Sequence, residues 1–178
     1  MDYEKGLAFL GNLDDVAKKG GKWMADRKPI RNIRDWAINF SLWPVHLTTA
    51  CCGCEFAPTA APRYDSERLG VLPWIGARQT NVLIVEGTLT RKMAKAAKIV
   101  HSQMPEPKYV MAMGACASDG GIFWNSYNIV RPKEILPIEV YIPGCPPRPE
   151  AVIRGFMKLK EKTRKELEFQ ETSGGESS

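Results

Sequence analysis

Three cysteines crowd into four residues at Cys51, Cys52 and Cys54, in a chain of 178 residues that has five cysteines in all. The other two, Cys116 and Cys145, stand far along the chain in segments rich in glycine or proline. Separate loops that each bring cysteine to one place are what a protein needs to hold an iron–sulfur cluster. The spacing therefore predicts a fold in which three distant loops meet.

The count of cysteines also argues against a disulfide framework, because an odd number leaves one thiol unpaired. The N-terminus, Met1 to Lys5, lacks the basic-then-apolar layout of a secretory signal, which predicts a cytoplasmic location. In that reducing compartment cysteines favour metal over disulfides. The sequence has no apolar run long enough to span a bilayer, so we expect no membrane crossing by this chain.

Hydrophobic content of 44% and charged content of 25% fit one globular domain with extensions. Residues 1–35 are predicted to form an N-terminal amphipathic helix and a basic arm, residues 36–169 the domain, and residues 170–178 a disordered polar tail. The net charge of +5 is concentrated near residues 18–34 and 158–165. Such clusters suit an acidic partner subunit or anionic lipid, and since no nucleic-acid motif accompanies them we expect no nucleic-acid binding.

The centre of the chain alternates apolar runs with amphipathic stretches. Strands are predicted at 81–85, 109–113 and 138–142, since each is a nearly continuous run of the kind buried on both faces of a parallel sheet. Thr90 is predicted to cap a helix after the first strand, and a final helix is predicted over 149–169. This order predicts an open α/β domain.

In open parallel sheets, ligands bind beyond the carboxyl ends of the strands. Cys116 and Cys145 follow two of the predicted strands closely, so we expect both at the same edge. Gly114 and Gly144 would let the backbone approach a cofactor there. Cysteines spread over three loops, without a second Cys-x-x-Cys pair or a nearby histidine, favour a cubane cluster over tetrahedral zinc.

Five segments of this sequence resemble a known family: Leu42-Trp43-Pro44-Val45, Ala50-Cys51-Cys52 with Glu55, Tyr64-Asp65 with Arg68, 113–117, and 140–150. They are similar to the cluster-bearing 20 kDa subunit of respiratory complex I. That family includes the small subunits of membrane-bound, energy-converting [NiFe] hydrogenases and related sulfane reductase complexes. The resemblance covers roughly residues 42–160.

The resemblance implies a flavodoxin-like fold with one [4Fe-4S] cluster, the last in an electron relay. It also implies three kinds of partner: a large subunit of the 49 kDa or hydrogenase type, a ferredoxin-like subunit with several clusters, and membrane-arm subunits. The chain would then be a peripheral subunit at the cytoplasmic face of the cell membrane. The terminal acceptor would be a quinone, protons at a nickel–iron centre, or a sulfur compound.

By the same resemblance Cys51, Cys116 and Cys145 are ligands, and the fourth ligand is open. Complex I subunits use an adjacent pair, which here is Cys51 and Cys52, whereas hydrogenase small subunits use Cys-x-Gly-Cys, which here is Cys51 and Cys54. Two thiolates with Gly53 between them turn onto one cluster more easily than adjacent side chains do, which favours Cys54. The flanking residues favour Cys52.

Glu55, beside the cysteine loop, resembles an acidic residue of the family. We interpret it as a group whose protonation is coupled to cluster reduction, with a capping or salt-bridge role as the alternative. The sequence as a whole predicts an electron-transfer subunit of an oxidoreductase complex that makes no bonds on its own. The rival prediction is a module in which the cysteines bind zinc and the basic arm docks a partner.

Overall fold

The structure is a computed structural model that describes residue 20 and residues 28–174, with side chains described for residues 20, 30 and 32–166. The predicted N-terminal helix, apart from Gly20, lies outside the described residues, as do the first part of the basic arm and residues 175–178. The chain divides into two units, residues 1–38 and residues 39–178. Every strand and every cysteine belongs to the second unit among the residues that the structure describes.

Four parallel strands form one sheet in the order β1-β2-β3-β4. They are β1 (Pro44–Thr48), β2 (Val82–Glu86), β3 (Tyr109–Met113) and β4 (Val140–Ile142). Each residue of β2 and β3 is buried, as their apolar runs predict. The expected α/β class with a parallel sheet is confirmed.

Strand β1 is the strand that the sequence did not predict, and the helices at 28–40, 52–60 and 114–119 were not predicted either. β1 begins at Pro44, and a proline without an N–H group is tolerated at the first residue of a strand and at a sheet edge. The side chain of Asn81 holds this start in place: its Oδ1 accepts from the Trp43 amide at 2.8 Å and its Nδ2 donates to the Ser41 carbonyl at 2.8 Å. The adjoining end of β2 therefore anchors the beginning of β1.

Among the residues that the structure describes from Lys28 onward there are five α-helices, of which α2 to α5 belong to the unit that contains the sheet: α1 (Lys28–Phe40), α2 (Cys52–Ala60), α3 (Arg91–Gln103), α4 (Gly114–Asp119) and α5 (Pro149–Gly174). The predicted cap of α3 is confirmed, since the Thr90 hydroxyl accepts a hydrogen bond from the Met93 amide at 3.3 Å. Helix α5 begins where predicted and continues past residue 169, so the first residues of the predicted polar tail are helical.

Apolar cores cover both faces of the sheet. On one face Phe56 of α2 and Phe156 of α5 pack with Ile84 and Met111, and each is at most 2% exposed. On the other face α3 packs Ala97 against the remaining side chains of β2 and β3. Burying one large apolar side chain contributes about 1.5–3 kcal/mol, so the two cores fix the sheet firmly.

The parallel arrangement decides where the cysteines go. Strands β1, β3 and β4 end at Thr48, Met113 and Ile142, and a cysteine stands three residues after each of these ends, at 51, 116 and 145. Because parallel strands have their carboxyl ends at one edge, all three cysteine loops leave the sheet on the same side. The sequence prediction for Cys116 and Cys145 is thereby confirmed in its placement.

Candidate functional site

Cys52 lies at the centre of the cysteine group. Its side chain is 3% exposed, and burial raises the pKa of its thiol to about 12. The neighbouring thiols of Cys51, Cys116 and Cys145 raise this pKa further, because a thiolate at Cys52 would lie in their field. The thiols of three loops therefore lie near one another at the carboxyl edge of the sheet.

The first loop places Cys51 and Cys52 by starting a helix between them. Cys51 is the N-cap residue of α2 and Cys52 is its first residue. The turn is closed by the amide of Gly53, which donates to the Ala50 carbonyl at 3.0 Å, and by the amide of Cys54, which donates to the Cys51 carbonyl at 3.1 Å. Cys51 is exposed while Cys52 points into the protein.

Gly53 allows this helix start to lie directly on the sheet. A Cβ at this position would come within 2.3 Å of Thr48 Cγ2 and 2.9 Å of Glu86 Oε2. Atoms that close must shift, so a side chain here would push α2 away from the ends of β1 and β2. Gly53 is thus a close-packing residue of the cysteine loop.

Gly114 makes room for the Cys52 sulfur at the end of β3. Its φ of +89° lies in the region that favours glycine, and a Cβ there would be 2.5 Å from Cys52 Sγ. The next residue, Ala115, donates its amide to the Gly144 carbonyl at 2.8 Å. This hydrogen bond joins the loop of Cys116 to the loop of Cys145.

Cys54 is placed differently from the other four. It lies in the first turn of α2, is exposed, and is not among the thiols that raise the pKa of Cys52. Consecutive residues of a helix point about a quarter turn apart, so the direction of a side chain is fixed by where the helix starts. Since α2 starts at Cys52, this residue takes the inward position and Cys54 the outward one.

Glu55 is half-buried in the first turn of α2. A carboxylate there interacts favourably with the partial positive charge of a helix N-terminus. The capping alternative considered from the sequence thus has a physical basis in this position. Its coupling to a cluster stays a prediction.

A second acidic residue near the site was missed by the sequence reasoning. Glu86 is the last residue of β2 and is 0% exposed. Burial raises the pKa of its carboxyl to about 7, and the hydrogen bond from the Thr48 hydroxyl lowers this pKa in part. Thr48 Oγ1 donates to Glu86 Oε2 at 2.8 Å, and Thr48 Oγ1 lies 2.9 Å from His46 Nδ1. A single acid ending an otherwise apolar strand was the signal that could have found it.

The residues present fit an iron–sulfur cluster in their chemistry. Iron–sulfur clusters are held by thiolates, and four thiols stand at one edge with glycines beside them. Within the described part of the chain, no three His, Cys, Asp or Glu side chains form a group that would hold a metal ion. The cysteines around a cubane each bind a different iron, so they do not have to converge on a single ion.

By structure the chain is an open α/β protein whose parallel sheet carries four thiols at its carboxyl edge, which is the class of cysteine-rich redox-type α/β domains. Residues 50–159 match the family model described as NADH ubiquinone oxidoreductase, 20 Kd subunit. Because the match spans more than half of the chain, the protein belongs to this family. The resemblance inferred from the sequence motifs is confirmed.

Relatives agree with this assignment. An NADH-quinone oxidoreductase subunit of Amoebophilus asiaticus (strain 5a2) is 43% identical over 159 residues, which cover 88% of this chain and 99% of the relative. A chain of the membrane-bound sulfane sulfur reductase, an archaeal respiratory membrane complex, is 41% identical with a TM-score of 0.71, covering 75% of this chain and 76% of that one. The homologues are thus subunits of oxidoreductase complexes.

A more distant structure shares the fold. A chain of an NAD+-reducing [NiFe]-hydrogenase in the H2-reduced state has a TM-score of 0.51 at 16% identity, covering 67% of this chain and 90% of that one. In the residues described for the present chain, none of the helices combines the length and apolar character that a membrane span needs.

Proposed function

We propose that this chain is an electron-transfer subunit that holds one [4Fe-4S] cluster through Cys51, Cys52, Cys116 and Cys145. The observation that carries the proposal is the position of the buried Cys52 thiol among the other three at one edge of the sheet. This placement supports Cys52 over Cys54 as the fourth ligand. It agrees with the flanking residues, which match the adjacent-cysteine pattern of complex I subunits.

When bound, the cluster supplies one-electron transfer, and the chain supplies its binding and surroundings. The raised pKa of Cys52 means that this thiol is neutral in the metal-free protein, so loading of the site requires that it lose its proton. Gly114 brings backbone close to the Cys52 sulfur. Amide groups near cluster sulfurs tune the reduction potential by hydrogen bonding. The buried side of the site keeps water from Cys52.

The surface beside the site supports a role as a subunit. Directly after α4, which carries Cys116, four side chains are exposed, each by 46% or more: Ile122, Phe123, Trp124 and Tyr127. Large apolar side chains gathered on a surface mark interfaces with other proteins. We propose that this segment contacts the large subunit of the 49 kDa or hydrogenase type, with the electron acceptor near that contact.

The further partners are those that the resemblance of the sequence motifs implies. We propose a ferredoxin-like subunit as electron donor and membrane-arm subunits that hold the complex at the cytoplasmic face of the membrane. The acceptor is a quinone, protons or a sulfur compound such as polysulfide. The likeness to the sulfane sulfur reductase and the additional Cys54 favour an archaeal-type energy-converting complex.

The test is metal analysis and EPR of the anaerobically purified protein with its partners. We expect a brown protein with about four irons and a reduced-cluster EPR signal. Serine at 51, 52, 116 or 145 should abolish or alter that signal, and Cys54→Ser is the matched control that leaves it unchanged. Zinc in place of iron would overturn the proposal, and a signal lost in Cys54→Ser but kept in Cys52→Ser would overturn the ligand set.

A further inference from the structure

Glu86 is a carboxyl group inside the protein that the electron-transfer proposal does not use. It is 0% exposed, and its only hydrogen bond among the described side chains is the one that Thr48 donates to Oε2. Oε1 has no hydrogen-bond partner in the described part of the chain, although His46 Nδ1 lies 3.6 Å away. A carboxylate buried with so few donors is costly, and protonation of the carboxyl group removes that cost.

A hydrogen-bonded path leads from this carboxyl to the surface. The Thr48 hydroxyl donates its hydrogen to Glu86. Its oxygen therefore accepts a hydrogen bond from His46 Nδ1–H at 2.9 Å. The His46 side chain is 38% exposed, and the path His46, Thr48, Glu86 therefore has one end in solvent and the other in the protein. Each group in it can give a proton on one side and take one on the other.

The inner end of the path lies next to the cysteine loop. Glu86 Oε2 would be 2.9 Å from a Cβ at Gly53, the residue that follows Cys52, and a Cβ at Gly87, the residue that follows Glu86, would be 3.5 Å from Cys52 Sγ. The carboxyl of Glu86 thus packs against Gly53, the residue next to Cys52, and Gly87 packs against Cys52 itself. Water screens charges little in a buried setting, so an electron that enters the site would be felt at the Glu86 carboxyl.

We propose that Glu86 takes up a proton from solvent through Thr48 and His46 when an electron enters the site held by Cys52, and releases it by the same path when the electron leaves. This inference rests on the proposed electron-transfer function. The electron comes from the one-electron donor of the complex, or from dithionite in vitro. An O–H bond forms at Glu86 as that of Thr48 breaks, Thr48 regains a hydrogen from His46 Nδ1, and His46 is reprotonated from water.

The other titratable groups around this end of β2 are few. β1 contributes His46, and β3 pairs the apolar Met113 with Glu86. The helices packed on this edge carry Cys52, Cys54 and Glu55 on α2, and Cys116 and Asp119 on α4. Burial raises the pKa of Glu86 to about 7, so a modest change in local charge suffices to shift its protonation near neutral pH.

The test is a redox titration of the cluster by EPR at several pH values, in the assembled complex. We expect the midpoint potential of the wild type to fall with rising pH and this dependence to be lost in Glu86→Gln. Glu134→Gln, at an exposed residue outside the cysteine loops, is the control and should keep the wild-type dependence. Loss of the dependence in Glu55→Gln with retention in Glu86→Gln would overturn the assignment of the proton to Glu86.

Redox-difference infrared spectra provide a second readout that does not depend on activity. A protonated-carboxyl band should appear on reduction of the wild type and shift in protein labelled with 13C-glutamate. In Thr48→Val, which retains the carboxyl, we expect the band to appear at least tenfold more slowly, because the path is interrupted. An unchanged rate overturns the path, and this variant also serves if Glu86→Gln fails to assemble.

The failures of the two proposals are distinguishable. A preparation that binds no iron overturns the electron-transfer function and this inference with it. A complex with a normal EPR signal whose pH dependence is the same in the wild type and in Glu86→Gln overturns only the role of Glu86.

Discussion

The sulfur of Cys52 occupies the space in which Gly114 would otherwise have its Cβ, since the ideal position of that atom is 2.5 Å from Sγ. The two residues belong to different loops, one at the start of α2 and one at the end of β3. Cys52 can therefore take its position only because Gly114 has no side chain.

Gly114→Ala should disrupt the site. The new methyl group meets Cys52 Sγ, and alanine at a φ of +89° is strained, which typically costs on the order of 1 kcal/mol or more. We expect most of the bound iron to be lost, as measured by metal analysis of the purified protein. Gly76→Ala is the control, because its φ is −83° and a Cβ there meets nothing closer than 3.5 Å. Equal iron in both variants would contradict the prediction.

Glu86 should make the stability of the chain fall with rising pH. Its pKa in the folded protein is raised to about 7 from 4.5, so the folded state binds this proton more tightly than the unfolded state does. The free energy of unfolding then decreases between these two pH values, by on the order of 3 kcal/mol in full. Glu86→Gln should lose this decrease, measured by urea unfolding at pH 5 and pH 8.

The exposed Glu134 provides the comparison for that experiment. Glu134→Gln should keep the wild-type change in unfolding free energy between the two pH values. If Glu86→Gln and the wild type show the same change, the carboxyl of Glu86 does not titrate in this range.

Phe156 should be a major source of stability. It lies on α5, is 2% exposed, and belongs to the core that joins α2 and α5 to the sheet. Phe156→Ala should lower the free energy of unfolding by about 3–5 kcal/mol, since it leaves a cavity. Its neighbour Met157 is 48% exposed, and Met157→Ala should change stability by less than about 0.5 kcal/mol. Chemical denaturation of both variants checks the prediction, and similar losses would contradict it.

The aromatic segment after α4 should matter for assembly and little for folding. Trp124 is 67% exposed, so Trp124→Ser removes little from the core of the chain. We expect at least a tenfold weaker association with the large subunit, measured by co-purification and titration, with an unchanged thermal transition of the isolated chain. Ile99→Ser, at a residue of α3 that is 57% exposed, is the control that should bind as the wild type does.

Much of the sheet could be predicted because its strands are apolar on both faces. β2 and β3 are nearly continuous apolar runs and β4 is rich in β-branched residues, and parallel pairing then places Cys116 and Cys145 at one edge. β1 was not predicted since it is short, begins with Pro44 and contains the exposed His46. Its assignment as a strand depends on pairing with β2, which is a contact between distant residues.

The sequence did not decide between Cys52 and Cys54 as the inward-facing cysteine, for a similar reason. Whether Cys52 or Cys54 faces inward depends on the residue at which α2 starts, and the helix start depends on how Gly53 packs against Thr48 and Glu86. Helix propensity depends on neighbouring residues and carries no information about that contact between distant residues. Glu86 was overlooked because a lone acid at the end of an apolar run has no motif of its own, and its burial becomes visible only in the folded sheet.

The hydrogen bond from the Ala115 amide to the Gly144 carbonyl joins loops that follow β3 and β4, the last strands to leave the ribosome. A nascent chain that has emerged only as far as the loop after β3 already carries Cys51, Cys52 and Cys116, but it lacks the loop that completes the set. With the ligand set proposed above, metal delivery would have to wait until the loop that carries Cys145 has been translated. Site occupancy would then report that the loop after β4 has been made and has reached the loop after β3.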